Sequence, residues 1–238
     1  MNYKTHICFF SLLLIFSASV NALTEKEVLK KLNQAYLKST SFSMKVSVSI
    51  YKSAKDANAF QTYGGEVKKS GDNYYSKMMG RTTVVNSNST LIIEEEQKKI
   101  IYSKISKSKK QNIEEEQLLI LIDTAFNYNK VSFTESNTKE YKIEVIPSDK
   151  ESMYKSIVYT ISATDYTLRE MVCNYKTDQE EDSFEKVAIK YSDVQLNGKI
   201  PASYFSEQNY VVKTKDKIIA ASAYAGYEVI EQKESDYK

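Results

Sequence analysis

The hydrophobic pattern predicts one helix followed by a long series of strands. Thr24-Glu25-Lys26-Glu27 has the spacing of a capping box, and the apolar residues from Val28 to Tyr36 recur at helical spacing. We therefore predict a helix from about Glu25 to Lys38. From Phe42 to Ile50 every second residue is apolar and the residues between are serine or lysine. This alternation predicts a strand with one apolar face.

Strand patterns separated by short turns dominate the rest of the chain. Gly64-Gly65 inside one pattern indicates a bulge or a sharp bend. Leu91-Ile92-Ile93 is apolar at every position, which indicates a strand covered on both faces. The predicted strands and tail segments are Phe60 to Lys69, Tyr74 to Met79, Thr82 to Val85, Thr90 to Glu95, Ile100 to Ile105, Val131 to Glu135, Glu140 to Ile146, Tyr154 to Ala163, Leu168 to Lys176, Phe184 to Tyr191, Tyr210 to Lys213 and Ile218 to Ile230.

A second helix is predicted between the strand patterns. Asn112 and Glu115 have capping spacing, and Leu118 to Ile122 with Phe126 give a wide apolar surface. Many hairpin-connected strands with two helices predict an α+β fold. We expect a single large curled antiparallel sheet, an unclosed β-barrel, with helices covering its concave side. With two prolines and six glycines, no linker divides residues 23–238, so one domain is predicted.

The first 22 residues resemble a secretory signal peptide. Lys4 precedes an apolar run from Cys8 to Val20, and Val20-Asn21-Ala22 is a small-residue cleavage signature. The run is shorter than the ~20 apolar residues that span a bilayer. We therefore expect cleavage before Leu23 and a periplasmic or secreted, not membrane-spanning, product.

Composition narrows the chemistry that this product can perform. His6 is the only histidine and falls in the predicted signal peptide, which excludes histidine-based catalytic and metal sets from the mature chain. Cys173 would then have no disulfide partner, and we interpret it as a buried apolar residue. The full chain has a net charge of +2, which argues against a nucleic-acid partner. Runs such as Glu114 to Glu116 are interpreted as solvated charge, so we expect no enzyme, no metal and no cofactor.

The order of these elements resembles the outer-membrane lipoprotein carrier family, the LolA-like proteins of the bacterial periplasm. The resemblance covers roughly Leu23 to Thr214, which leaves a C-terminal extension from about residue 215. Its segments are Thr40 to Met44, Gly65 to Lys69, Asn73 to Tyr75, Val84-Val85, Leu91 to Ile93, Tyr141 to Pro147, Ile157 to Val172 and Ile200 to Phe205.

The resemblance implies an unclosed barrel whose hollow accepts acyl chains. The leading hypothesis is therefore a monomeric, non-enzymatic carrier or binder of lipid acyl chains or a lipoprotein. The alternative is an envelope protein-interaction or sensor module that uses the same fold without lipid transport. Each candidate lining residue could instead belong to a packed core. The candidates are Met44, Val46, Val48, Ile50, Leu91, Ile93, Ile101, Leu119, Ile122 and Phe126.

A positive charge at the cavity mouth is a further hypothesis. Lys69 matches the position at which carriers of the best-known type have an arginine, although a lysine lacks the planar fork. Arg81 and Arg169 are the only arginines in the chain, and Arg81 follows a strand end where a rim is expected. Each of the three could also be an ordinary surface charge.

Overall fold

The computed structural model describes residues 23–105, 129–176 and 184–232. The predicted signal peptide and the helix predicted after Asn112 lie outside these ranges. Within them, a single α-helix precedes 14 strands. The elements are α1 (Glu25–Leu37), β1 (Ser41–Tyr51), β2 (Gln61–Ser70), β3 (Asn73–Met78), β4 (Arg81–Val85), β5 (Ser89–Glu94), β6 (Lys99–Lys104), β7 (Asn129–Ser136), β8 (Glu140–Pro147), β9 (Tyr154–Ser162), β10 (Leu168–Tyr175), β11 (Lys186–Leu196), β12 (Val211–Lys213), β13 (Ile218–Ala220) and β14 (Glu228–Gln232).

The capping box predicted for α1 is confirmed. The Thr24 hydroxyl accepts a hydrogen bond from the Glu27 amide at 3.3 Å, and the Thr24 amide donates to the Glu27 carboxylate at 2.8 Å. These bonds satisfy backbone groups that the first helical turn leaves without partners. At the other end, the Ser39 hydroxyl donates to the Ala35 carbonyl at 2.7 Å, just after the helix ends at Leu37.

Twelve strands form one curled sheet in the order β14-β6-β5-β4-β3-β2-β1-β11-β10-β9-β8-β7. Every neighbouring pair is antiparallel except β14 and β6, which are parallel. Because β14 and β7 lie at opposite ends of this order and do not pair with each other, the described sheet does not close. The predicted large curled antiparallel sheet is therefore confirmed. The predicted cover of helices over its concave side remains a prediction.

The pairing register assigns the apolar residues to two opposite faces. Residues directly opposite each other on neighbouring strands point to the same side. Val46 and Phe42 share one side of β1, and the Phe42 ring contacts the ring of Tyr36 in α1 at 5.7 Å. We call this side the helix face. Lys45 points the other way, and its row of paired residues continues across the sheet to Ile93.

The helix α1 packs on the part of the helix face formed by β7 to β10. Val28 and Leu29 are 0% and 3% exposed there. Burying an aliphatic side chain of this size contributes about 1.5–3 kcal/mol, so this contact anchors the helix firmly. The α1 cluster comprises these two residues with Ile143, Val145, Tyr159 and Ile161.

The chain after β11 covers the opposite face. Residues 200–229, which we call the tail segment, pack over β3 to β6, and we call the face beneath them the tail face. The segment includes the small β12–β13 sheet and three short 3-10 helices. The tail cluster comprises Tyr75, Val84, Leu91, Ile93, Ile100, Tyr102, Phe205, Tyr210 and Val211, all at most 7% exposed.

Charged side chains hold the tail segment on its face. The Lys68 ammonium pairs with Glu66 and lies 4.3 Å from the centre of the Tyr204 ring, a cation–π distance. The Glu207 carboxylate accepts hydrogen bonds from the Ser89 hydroxyl and the Lys213 ammonium, each at 2.6 Å. Beyond residue 215, partly buried apolar residues also pack against the tail cluster: Ile218, Ala220, Tyr224, Tyr227 and Val229.

Two local predictions differ from the structure. The register runs without a shift through Gly64 and Gly65, so the predicted bulge is absent. Instead β3 approaches closely, because a Cβ on Gly65 would lie 2.5 Å from the Lys77 carbonyl oxygen. The segment predicted from Ile218 to Ile230 is divided into β13, a 3-10 helix and β14. Gly226 has φ +91 between the last two, a conformation that interrupts an extended strand.

The adjacent glycines give a matched test of this close approach. Gly65→Ala should lower the free energy of unfolding by roughly 1–3 kcal/mol, because the new methyl group pushes β3 away. Gly64→Ala should stay within about 1 kcal/mol of wild type, since nothing lies within 4 Å of its Cβ position. Chemical denaturation of both variants measures the difference, and equal stabilities would contradict the assignment.

The carboxylate that holds the tail segment should make stability depend on pH. Burial alone would raise the pKa of Glu207, but hydrogen bonds from Lys213 and Ser89 hold it below the ordinary 4.5. Because the folded-state pKa is the lower one, this contribution is present above the ordinary pKa and is lost as the pH falls through the folded value. Thermal unfolding of Glu207→Gln should therefore lose less stability on acidification than wild type. Glu231→Gln, which alters an exposed carboxyl, should follow wild type.

Candidate functional site

Apolar rows cross the helix face where α1 does not pack. Val48 pairs with Tyr63 on one side and with Ile189 on the other, and Val46 pairs with Tyr191. Val46 and Val48 are buried, at 5% and 8% exposed, although neither belongs to the two packed clusters of the described residues. The longest row runs from β1 to β14 and is apolar except at Ser76 and Thr83; its residues are Met44, Val67, Ser76, Thr83, Ile92, Ile101 and Ile230.

The structure separates the sequence-predicted lining residues into two sets. Leu91 and Ile93 lie on the tail face, are 0% exposed and belong to the core beneath the tail segment. The other described candidates share the helix face; they are Met44, Val46, Val48, Ile50 and Ile101. Leu119, Ile122 and Phe126 lie outside the described residues. In strands where both odd and even positions are apolar, the sequence does not indicate to which face each residue points. The division of the candidates between the two faces therefore follows only from the pairing register.

A group of aromatic side chains adjoins this set and was not among the predicted site residues. Tyr191 on β11 and Tyr159 on β9 share the helix face with Tyr36 of α1 and Cys173 of β10. Burial raises the pKa of Tyr159 to about 12 and also raises that of Tyr191, to which Tyr36, Cys173 and Tyr159 add. Both phenols therefore stay protonated and remain hydrogen-bond donors at neutral pH. The only sequence signal was their place in alternating strands, which does not distinguish a core tyrosine from a ligand contact.

A shallow polar groove of about 470 Å³ lies beside α1. Its polar groups already bind within the protein: Lys31 donates to the Tyr166 hydroxyl at 3.1 Å, and Asn197 accepts from the Thr40 amide at 3.0 Å. Asp165 accepts from the Thr167 hydroxyl at 2.7 Å. We interpret the groove as the junction between α1 and the neighbouring strand ends rather than as the ligand site.

The described residues contain no group of three or more His, Cys, Asp or Glu side chains placed to hold a metal ion. In the same part of the chain, no helix has the length and apolar character required to cross a membrane.

Comparison with solved structures gives several matches of low sequence identity. An uncharacterised conserved protein from Thermus thermophilus is 10% identical, with a TM-score of 0.48 over 87% of this chain and 98% of that one. A LolA superfamily protein from Nitrosomonas europaea is 14% identical, with a TM-score of 0.32 over 78% of this chain and 99% of that one. The MucA/MucB complex from Pseudomonas aeruginosa gives 7% identity and a TM-score of 0.42, over 76% of this chain and 60% of that one.

The chain is similar in structure to LolA superfamily proteins. This is the family that the sequence resembles. With identities of 14% or less and TM-scores below 0.5, these likenesses carry no conclusion about a ligand or a role. No family model matches the sequence, and no curated protein matches it.

The charges considered for a LolA-like mouth lie in different places. Lys69 pairs with Phe42 and therefore lies on the helix face, near the first residues of β1. Arg81 pairs with Met78 on the same face, at the opposite strand ends, and is exposed. Arg169 lies elsewhere and forms an ion pair with Asp165 at 3.3 Å. Lys69 and Arg81 thus lie on the helix face on either side of the row that runs through Met44.

Proposed function

We propose that this chain is a non-enzymatic binder or carrier of an apolar ligand, such as the acyl chains of a lipid or lipoprotein, bound on the helix face. The observation that carries the proposal is the apolar surface of β1 and its neighbours, which belongs to neither packed cluster of the described residues. Met44 and Val48 lie near its centre. We propose Met44, Val46, Val48, Ile50 and Ile101 as its contacts.

The distribution of the two packed clusters supports this assignment. The α1 cluster and the tail cluster stabilise the two halves of the sheet from opposite sides. Within the apolar rows, Val46 and Val48 are buried, whereas Met44, Ile50 and Ile101 are half-buried and give the proposed ligand its most accessible contacts. Methionine side chains such as Met44 and Met78 adapt to irregular apolar partners, which suits a surface for flexible chains.

The proposal also assigns roles to two charged residues and to the predicted signal peptide. Lys69 and Arg81 lie on either side of the row through Met44 and are proposed to pair with negative groups of a ligand headgroup or of a delivering protein. With removal of the predicted signal peptide, the site of action would be the periplasm or the cell exterior. The residues from about 215 are proposed to be part of the same domain as the sheet.

A second candidate is an envelope protein-interaction module. At the sheet end where β1 finishes and β11 begins, large apolar side chains are strongly exposed: Phe60 at 66%, Met153 at 63% and Phe184 at 41%. Isolated exposed apolar residues are common, but their concentration at one end is typical of contact surfaces. Under this candidate, substitution of Phe60 and Met153 by serine would weaken partner binding and leave apolar-probe binding unchanged.

A charge placed on the helix face should weaken ligand binding. Met44→Lys is expected to reduce the affinity for a fluorescent fatty acyl probe at least tenfold, because an unpaired ammonium would face the apolar chain. Ser47→Lys places the same group on the tail-face side of the same strand and should bind as wild type. Fluorescence titration measures both, with thermal unfolding as the check on folding. A folded wild-type protein that binds no apolar probe would exclude the proposal and favour the second candidate.

A further inference from the structure

We propose that Asn197 is a modification site, at which the side-chain amide converts spontaneously through a cyclic succinimide to aspartate and isoaspartate. Asn197-Gly198 is the only Asn-Gly pair in the chain, and Asn197 lies at an exposed bend directly after β11. Its φ of +59 is a left-handed conformation that asparagine adopts more readily than most residues. Because glycine has no β-carbon, the backbone nitrogen of Gly198 can approach the preceding side chain. This inference is independent of the ligand proposed for the helix face.

The contacts of Asn197 activate its side-chain carbonyl group. The oxygen Oδ1 accepts hydrogen bonds from the Thr40 amide at 3.0 Å and from the Thr40 hydroxyl at 3.4 Å. Two donors on one carbonyl oxygen stabilise the negative charge that forms there when a nucleophile adds to the Cγ carbon. Within the part of the chain that the structure describes, the Gly198 amide donates to no backbone or side-chain acceptor. The attacking nitrogen is therefore not held in a competing hydrogen bond.

The conversion requires only solvent water as a second reactant. The Gly198 nitrogen loses its proton to solvent and bonds to Cγ of Asn197, and the Cγ–Nδ2 bond breaks as Nδ2 takes up a proton and leaves as ammonia. Water then adds to one of the two carbonyl carbons of the succinimide ring. Breaking the new bond to Cγ gives aspartate, and breaking the bond to the backbone carbonyl carbon gives isoaspartate. Asn197 lines the open polar groove beside α1, so water can reach the ring.

The two products should have different effects on the corner between α1 and β1. The Asn197 amide donates to the Ser41 carbonyl at 2.7 Å, and the Ser41 hydroxyl donates to the Gly198 carbonyl at 2.7 Å. An aspartate leaves the backbone unchanged, and its carboxylate can still accept from Thr40. An isoaspartate adds a methylene group to the backbone between the α-carbon and Gly198. We therefore expect isoaspartate to displace Gly198 from Ser41 and to loosen the corner, and aspartate to preserve it.

Incubation of the folded protein in ¹⁸O-labelled water, followed by peptide mass spectrometry, tests the site. Label should enter residue 197 before any other asparagine position, and faster at mildly alkaline than at mildly acidic pH, because the attacking amide must lose a proton.

Three variants test the roles of the neighbouring groups. Thr40→Val removes one donor to Oδ1 and should slow the conversion about 2- to 10-fold. Thr62→Val removes a hydroxyl on β2 and should leave the rate unchanged. Gly198→Ala should slow the conversion at least about tenfold, because a β-carbon hinders the attacking nitrogen. Its methyl group would meet the flexible Gln195 side chain at 3.4 Å, so this variant should fold as wild type. Thermal unfolding checks the fold of all three.

A second measurement uses wild-type protein alone. A protein isoaspartyl methyltransferase should methylate the incubated protein at residue 197, and hydrogen exchange at the Thr40 amide should be faster in the isoaspartate fraction than in untreated protein. Asn197→Asp should exchange as untreated protein does. Label that enters residue 197 in urea-unfolded protein but not in folded protein would overturn the proposal, as would earlier labelling of another asparagine. Equal rates in wild type and Thr40→Val would overturn the activating role of Thr40.

Discussion

The structure depends on the largely antiparallel strand pairing that extends from β1 in both directions. Because side chains alternate between faces, this register decides which apolar residues can share a surface. From β1 to β6 it runs without a shift and carries apolar residues on both sides. A sheet of this kind needs cover on two faces. Helix α1 covers the helix face over β7 to β10, and the tail segment covers the tail face over β3 to β6.

The two faces of the sheet therefore have different physical roles. The tail face is a dry core in which Leu91, Ile93 and Tyr102 are at most 2% exposed, and charged groups fix the segment that covers it. Beyond α1, the helix face carries apolar rows that belong to neither packed cluster of the described residues. At the sheet edge, the Phe133 amide of β7 donates to the Glu25 carboxylate at 3.2 Å, so α1 also occupies an edge donor that could otherwise pair with another strand.

The sequence was sufficient for local structure and insufficient for the assignment of faces. The Thr24 capping box and the alternation from Phe42 to Ile50 predicted α1 and β1, because both patterns depend on neighbouring residues only. Leu91 and Ile93 were grouped with Val46 because all three are apolar, yet their faces depend on pairing across five strands. The role of Gly65 and the packing of the tail segment likewise depend on contacts distant in sequence. Tyr159 and Tyr191 carried no signal beyond strand alternation.

The central claim is that an apolar ligand occupies the helix face and not the tail face. Methyl NMR of protein labelled at isoleucine, leucine and valine, with a spin-labelled acyl ester added, tests it directly. The account predicts strong broadening of the methyl signals of Val48 and Ile189, with those of Leu91 and Ile93 unaffected. Broadening of Leu91 and Ile93 while Val48 and Ile189 remain sharp would contradict the account.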